Sequence, residues 1–168
     1  GLAENTVVIL VSDHGEEFGE HDYYFHSLNL YEPVQRVPFY IYVPGKKGGS
    51  VDQPVETLSL WPTLADVLGL GAQTHAPSLK PLMQTPDMKW NRPIFCRSNQ
   101  FKRWCLIQDN WKLIYDLEYG FYELYDLGTD TGEMINKADT HEDRFEELKS
   151  QLWSFLSAGM KDLRGKGE

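Results

Sequence analysis

No run of apolar residues in this chain comes near the eighteen or so that a membrane-crossing helix needs, so the sequence carries no helical span. Positive charge is scarce as well: 16 Lys and Arg stand against 25 Asp and Glu, a formal net charge of −9. A protein that grips a nucleic-acid backbone needs clustered Lys and Arg, and this balance argues against that partner. Low-complexity tracts and internal repeats are missing too. What remains is 41% hydrophobic and 13% aromatic, a globular composition, in a length that holds one domain or one domain with a small appendage. No signal peptide opens the chain. Gly1 stands only a few residues before the first strand-like run, so the amino-terminal boundary is expected to be a cut, and no location follows from the missing leader.

The stretch that organises the chain is Val7 to Gly45. It opens with five apolar residues, Val7 to Val11, whose length and β-branching predict a strand buried on both faces. Polarity then flips at Ser12, Asp13, His14 and Gly15, where such a strand reaches its carboxyl end and where open α/β sheets place ligands. His21 and His26 follow, so three of the five histidines gather here with several carboxylates. Leu28 to Gln35 reads as a short helical piece with Pro33 in its first turn. Phe39 to Val43 then reads as a second strand of a mainly parallel sheet, and PGKKGG from Pro44 as a turn.

Further on, Ser59 is placed to cap a helix that Gly69 stops, with Leu60, Leu64, Val67 and Leu68 on its apolar face. Trp61, Pro62 and Thr63 read as packing and helix initiation. Gly69 to Asn91 lacks sustained periodicity and reads as a linker. Pro93–Arg97, Trp104–Gln108, Lys112–Asp116 and Phe121–Asp126 are short, aromatic and β-branched, separated by turn residues such as Ser98, Asn99, Asn110 and Gly120. With Asp109 beside Asn110 as a further turn residue, they predict a four-stranded antiparallel sheet. From about Thr140, a candidate cap with Asp143, the spacing of Phe145, Leu148, Leu152, Phe155 and Leu156 predicts a terminal helix across that sheet.

The strings SDHGEEFGEH, FHSLNLYE and RVPFYIYVPG, followed by VETLSLWPTLADVLGL, PSLKPL and WKLIYDLEYGFYELYDLGTDTGEMIN, resemble the second half of the sulfatase family, within the alkaline-phosphatase superfamily. The resemblance implies an α/β fold: a partial alkaline-phosphatase-like sheet over residues 1–90, then a small α+β subdomain over 91–168 with the antiparallel sheet and terminal helix. It also implies hydrolysis of a sulfate ester, carried by a small molecule or a carbohydrate. Family members are commonly exported, so a periplasmic or extracellular location is the family expectation.

Residue by residue, the resemblance makes Asp13 and His14 ligands of a divalent metal, usually calcium. On the residues alone, a strand-end Asp in a turn and a solvated His explain them as well. His26 matches the position that contacts sulfate or protonates the leaving group, where a cationic donor suits a departing alkoxide. A loop His packed on Tyr23, Tyr24 or Phe25 is the plainer alternative. His21 either lines the site or fixes the loop. Glu16, Glu17 and Glu20 read as solvated carboxylates, and Glu32 with Arg36 as a helical ion pair.

The family's nucleophile, a Cys or Ser turned into formylglycine and followed by any residue, Pro, any residue and Arg, has no counterpart here. Cys96 and Cys105 stand in other contexts and read either as a cross-strand bridge or as two thiols. An upstream half is therefore expected to supply the nucleophile and further carboxylates. Without it, an uncovered apolar sheet edge should favour self-association. Two other function classes remain open: a phosphate or phosphonate ester hydrolase of the same superfamily, and a non-catalytic binding or assembly module.

Overall fold

The computed structural model of the chain describes residues 1–26, 29–71, 74–98 and 102–165, with side chains up to 159. Leu28, at the start of the expected helical piece, and Asn99, in an expected turn, lie outside the described residues. In chain order the strands are β1 Val8–Val11, β2 Glu17–Phe18, β3 Tyr24–Phe25, β4 Phe39–Tyr42, β5 Ile94–Arg97, β6 Arg103–Gln108, β7 Trp111–Asp116 and β8 Tyr122–Asp126. The α-helices are α1 Glu32–Gln35, α2 Leu60–Val67, α3 Lys80–Gln84 and α4 Glu142–Gly165. These form two compact units, one of Gly1–His14 with Val37–Arg92, the other of Gly15–Arg36 with Pro93–Glu168. The division differs from a single cut near residue 90, because the segment bearing His21 and His26 folds with the later part of the chain.

In the first unit β1 and β4 pair antiparallel, with Val8 opposite Tyr42 and Leu10 opposite Tyr40. The expected parallel arrangement is not what forms between them. Nor is β1 buried on both faces: its exposure alternates, and Val8 and Leu10 lie on an open face. An unbroken apolar run looks the same in sequence whether one or both of its faces are covered. The helix α2 ends as its sequence signals, since Gly69 adopts φ +71 while Leu70 N–H reaches Ala65 O and Gly69 N–H reaches Asp66 O. Those two hydrogen bonds make the usual glycine-terminated helix stop.

Its start and its buried face differ from expectation. The Ser59 side chain makes no cap bond, and the buried residues are Pro62, Thr63 and Ala65, while Leu68 and Trp61 are exposed. The cause is α3, inside the stretch read as a linker. Thr63 Oγ1 donates to Ser59 O at 2.6 Å and accepts the Leu79 N–H at 2.8 Å, and this brings Leu79 and Leu82 into the core. Lys80 Nζ and Ser78 Oγ both reach Asp66, fixing the same junction.

In the second unit β5 to β8 form the expected antiparallel meander in sequence order. Asp109 and Asn110 both take positive φ between Gln108 and Trp111, the backbone that a two-residue hairpin with native twist demands. The alternation of side chains then gives the sheet two unlike faces. One carries Phe95, Trp104, Leu106, Leu113 and Leu124 and packs against Leu148 and Leu152 of α4, each fully buried and contributing about 2 kcal/mol. Phe155 stacks on Phe95 at 3.9 Å between ring centroids. The Thr140 hydroxyl does not cap α4; it donates to Lys137 O, and the helix begins at Glu142.

The opposite face carries Cys105, Ile107, Ile114 and Tyr125 together with charged groups, and the segment Gly15–Arg36 packs on it through Leu30 and Tyr31. Cys96 and Cys105 stand directly opposite each other in β5 and β6 as reduced thiols, and the hydrogen bond with the Cys96 thiol, together with burial, pushes Cys105 up. Glu32 meets Lys112 at 3.0 Å and forms no pair with Arg36 among the described residues, because α1 turns its first residue toward the sheet. No helix among the described residues is long and apolar enough to cross a membrane.

Candidate functional site

The first cluster sits at the carboxyl end of β1. Ser12 N–H reaches Pro38 O at 3.3 Å, the last rung beside β4, and the chain then turns. Within the turn Ser12 Oγ donates to His14 O at 2.7 Å, and Asp13 Oδ1 accepts the His14 N–H at 3.0 Å. The other carboxylate oxygen, Oδ2, lies 3.7 Å from His14 Nε2. Asp13 is thus a turn-stabilising residue and also a neighbour of the imidazole.

That geometry permits a shared cation. Metal–oxygen and metal–imidazole bonds run near 2.0–2.5 Å, so two donor atoms 3.7 Å apart can reach one ion between them. A carboxylate oxygen suits a hard cation such as calcium, whereas an imidazole suits a softer one such as zinc, so the pair by itself leaves the identity of the divalent ion open. Among the described residues no third His, Cys, Asp or Glu joins the pair. These two residues fit part of a divalent coordination shell.

The second cluster lies on the segment Gly15–Arg36. A tight two-residue pairing of β2 with β3 sets Glu17 opposite Phe25 and Phe18 opposite Tyr24. Between them His21 and Asp22 take φ of +55° and +61°, and Phe25 takes +74°. Left-handed backbone at three side-chain-bearing residues costs on the order of 1 kcal/mol or more each, and it persists only where packing over-determines it. His21 is held by stacking on Tyr31, with ring centroids 3.8 Å apart and planes 10° from parallel. Tyr31 in turn donates its hydroxyl to Glu123, 3.1 Å from both carboxylate oxygens, and burial with the nearby Glu123 pushes the phenol far above its ordinary range.

His26 Nδ1 lies 3.1 Å from Glu16 Oε2, both side chains being partly exposed. A carboxylate at Nδ1 fixes ring orientation and tautomer, the arrangement that catalytic and metal-bound histidines use. The pairing corrects one sequence reading: Glu16 is no idle surface carboxylate but the acid partner of His26. Glu17 departs further from a solvated role: it is buried, bonded by Asn29 Nδ2, and its pKa is raised by burial. Only Glu20 keeps to the surface, its pKa lowered by the Phe18 N–H that it accepts.

The structure therefore brings Asp13 to His14 and, separately, Glu16 to His26 and Tyr31 to His21. The first pair belongs to one compact unit and the other residues to the second. Sequence reading missed Glu16, Tyr31 and Glu123. Ten residues separate Glu16 from His26 and ninety-two separate Tyr31 from Glu123, so no local periodicity signals either contact.

Comparison with known proteins supplies the family. A sequence profile of the sulfatase family matches residues 1–70. An arylsulfatase of Clostridium perfringens is 28% identical over 181 aligned residues, covering 100% of this chain and 36% of that protein. A sulfatase of Formosa agariphila is 34% identical over 89% of this chain and 30% of its own length. The chain belongs to the sulfatase family.

It falls within the alkaline-phosphatase superfamily, and it spans about a third of the length of the curated sulfatases it matches. Among solved folds, a protein in complex with its substrate D-glucosamine-2-N,6-O-disulfate superposes with a TM-score of 0.76 at 26% identity, over 95% of this chain and 35% of that one. A phosphonate monoester hydrolase of Agrobacterium radiobacter shares the fold, with a TM-score of 0.72 at 21% identity over 92% of this chain and 36% of that one. The α/β fold with its four-stranded antiparallel sheet and terminal helix is the sulfatase fold over this stretch.

Proposed function

We propose that this chain is part of a metal-dependent sulfatase that hydrolyses sulfate esters, and that Asp13 and His14 hold the metal while His26 serves the leaving group. The observation that carries the reading is the Asp13–His14 pair, with two unlike donor atoms 3.7 Å apart at a strand end, in a chain of sulfatase ancestry. A bound calcium ion would supply charge to neutralise a sulfate oxygen as the ester bond breaks. The chain's own residues do the rest of what lies here. The Asp13 carboxylate and His14 imidazole fix the ion's place. His26, oriented at Nδ1 by Glu16, presents Nε2 to donate a proton to the departing oxygen, which raises its quality as a leaving group. His21 lines the same loop, held by Tyr31.

The nucleophile, a formylglycine, is proposed to come from sequence upstream of this chain, as are the further metal carboxylates, and the enzyme to work in the periplasm or outside the cell. The substrate class is a small-molecule or carbohydrate sulfate ester. The test is hydrolysis of an aryl sulfate and a phosphonate monoester by the full-length protein, with calcium and after chelation. Asp13→Ala and His26→Ala should each lower kcat/KM for the sulfate about 10²-fold or more, chelation should abolish turnover, and the 168 residues alone should show none. Faster turnover of the phosphonate ester, or full activity in both variants, would overturn the assignment.

A further inference from the structure

The group that the proposed chemistry leaves unused is a buried cation. Lys112, in the middle of β7, is fully buried, as is the side chain of Glu133. Its Nζ lies 3.0 Å from Glu32 Oε1 and 2.9 Å from Glu133 Oε1, while Glu133 Oε2 accepts the backbone N–H of Glu32 at 2.6 Å. Lys112 thus grips the side chain of the first residue of α1, and Glu133 grips its backbone. Burial alone would lower the Lys112 pKa, but Cys105, Glu133 and Glu32 more than reverse this, so the ammonium stays charged. The Glu133 pKa moves up, because burial there outweighs its half share of one cation. A single ammonium between two carboxylates explains both directions.

The clamp is set where it controls the whole segment. Asn29, Leu30 and Tyr31, immediately before Glu32, are buried, and Tyr31 is the platform on which His21 stacks. Just after it, Val34 O accepts the Gly15 N–H at 2.8 Å, and a Cβ on Gly15 would fall 2.0 Å from Pro33 O. Both ends of the segment therefore close on α1. Between them lie His26 and three side-chain-bearing residues at positive φ, His21, Asp22 and Phe25, whose strained backbone needs an external hold. The sheet's other face joins α4 with apolar and aromatic groups, which bind strongly but tolerate sliding. A buried ion triad instead accepts one geometry, since any shift leaves a carboxylate without its cation.

We propose that Lys112, with Glu32 and Glu133, is a positioning residue that locks the segment Gly15–Arg36 onto the sheet and so sets His21 and His26 for sulfate-ester hydrolysis. The proposal rests on the catalytic reading of those histidines, and its test separates the two. In the full-length protein, Lys112→Met leaves the buried Glu133 and the partly buried Glu32 carboxylates around an apolar chain. The triple variant Lys112→Met, Glu133→Gln, Glu32→Gln removes all charge at similar volume and keeps the fold accessible.

The readouts are hydrogen exchange resolved by peptide, and kcat against KM for an aryl sulfate. The triple variant should unfold near the wild-type midpoint, exchange at least tenfold faster across 15–36 but not across β5 to β8, and lose kcat about 10–100-fold per folded molecule. Equal exchange in 15–36 would overturn the clamp, and so would a uniform rise across the sheet, which would mark a merely structural lysine. Faster exchange confined to 15–36 with unchanged kcat would uphold the lock and refute its catalytic consequence. Absence of sulfatase activity in the wild-type protein would refute only the catalytic reading, leaving exchange to judge the clamp.

Discussion

Asp116 shows how one residue acquires a role that only its surroundings can assign. It ends β7, is buried, and accepts bonds from Arg103 Nε at 2.8 Å, Glu118 N–H at 2.9 Å and Tyr119 N–H at 3.0 Å. Burial alone would raise its pKa, but these donors more than reverse that and hold it below the ordinary aspartate range. A carboxylate whose folded pKa is depressed contributes stability above its unfolded pKa and loses it as pH falls through the folded value. Asp116→Asn should therefore cost about 2 kcal/mol at pH 7, with the gap to wild type closing below about pH 4. Urea unfolding midpoints across that range check it, and a gap constant with pH would contradict the assignment. The same logic separates Glu17 from Glu16 and Glu20: three nearby acids have one spelling and three environments.

At the scale of elements, the segment Gly15–Arg36 has little regular structure, and its order comes from docking on its own α1 and on the sheet. Gly15 is the tightest point of that docking. Its place is required by the approach of the Pro33 carbonyl, and any side chain would have to push backbone apart. Gly15→Ala is expected to destabilise the fold by about 3 kcal/mol, at the upper end for overpacking. It should also speed hydrogen exchange in 15–36 before exchange in α4. A variant with wild-type stability would show that the contact gives way cheaply. The element α2 illustrates the reverse balance of local and tertiary signals. Its stop was legible in Gly69, whereas its buried face was chosen by α3, whose short proline-containing run carries no periodicity of its own.

For the molecule as a whole, the two-stranded pairing of β1 and β4 leaves Val8, Leu10, Tyr40 and Tyr42 between about half and two-thirds exposed on one face. Apolar faces of that kind, beside unpaired strand edges, favour association. The 168-residue chain by itself should self-associate as concentration rises, and Leu10→Lys with Tyr40→Lys should reduce light scattering. A monomer at high concentration before substitution would contradict the expectation.

Features that depend on neighbours along the chain were legible before folding: the four-strand meander, its Asp109–Asn110 turn, the amphipathic α4, the Gly69 helix stop and the Asp13–His14 turn at the end of β1. Period, turn chemistry and family motif are all local patterns. Long-range packing alone set β1 antiparallel to β4 and folded residues 15–36 with the later unit. The same packing makes Glu16 orient His26, seats His21 on Tyr31, and buries Lys112 between Glu32 and Glu133. Those contacts join residues from ten to more than a hundred positions apart. Their energies come from burial and electrostatics between distant segments, which leave no period in the sequence.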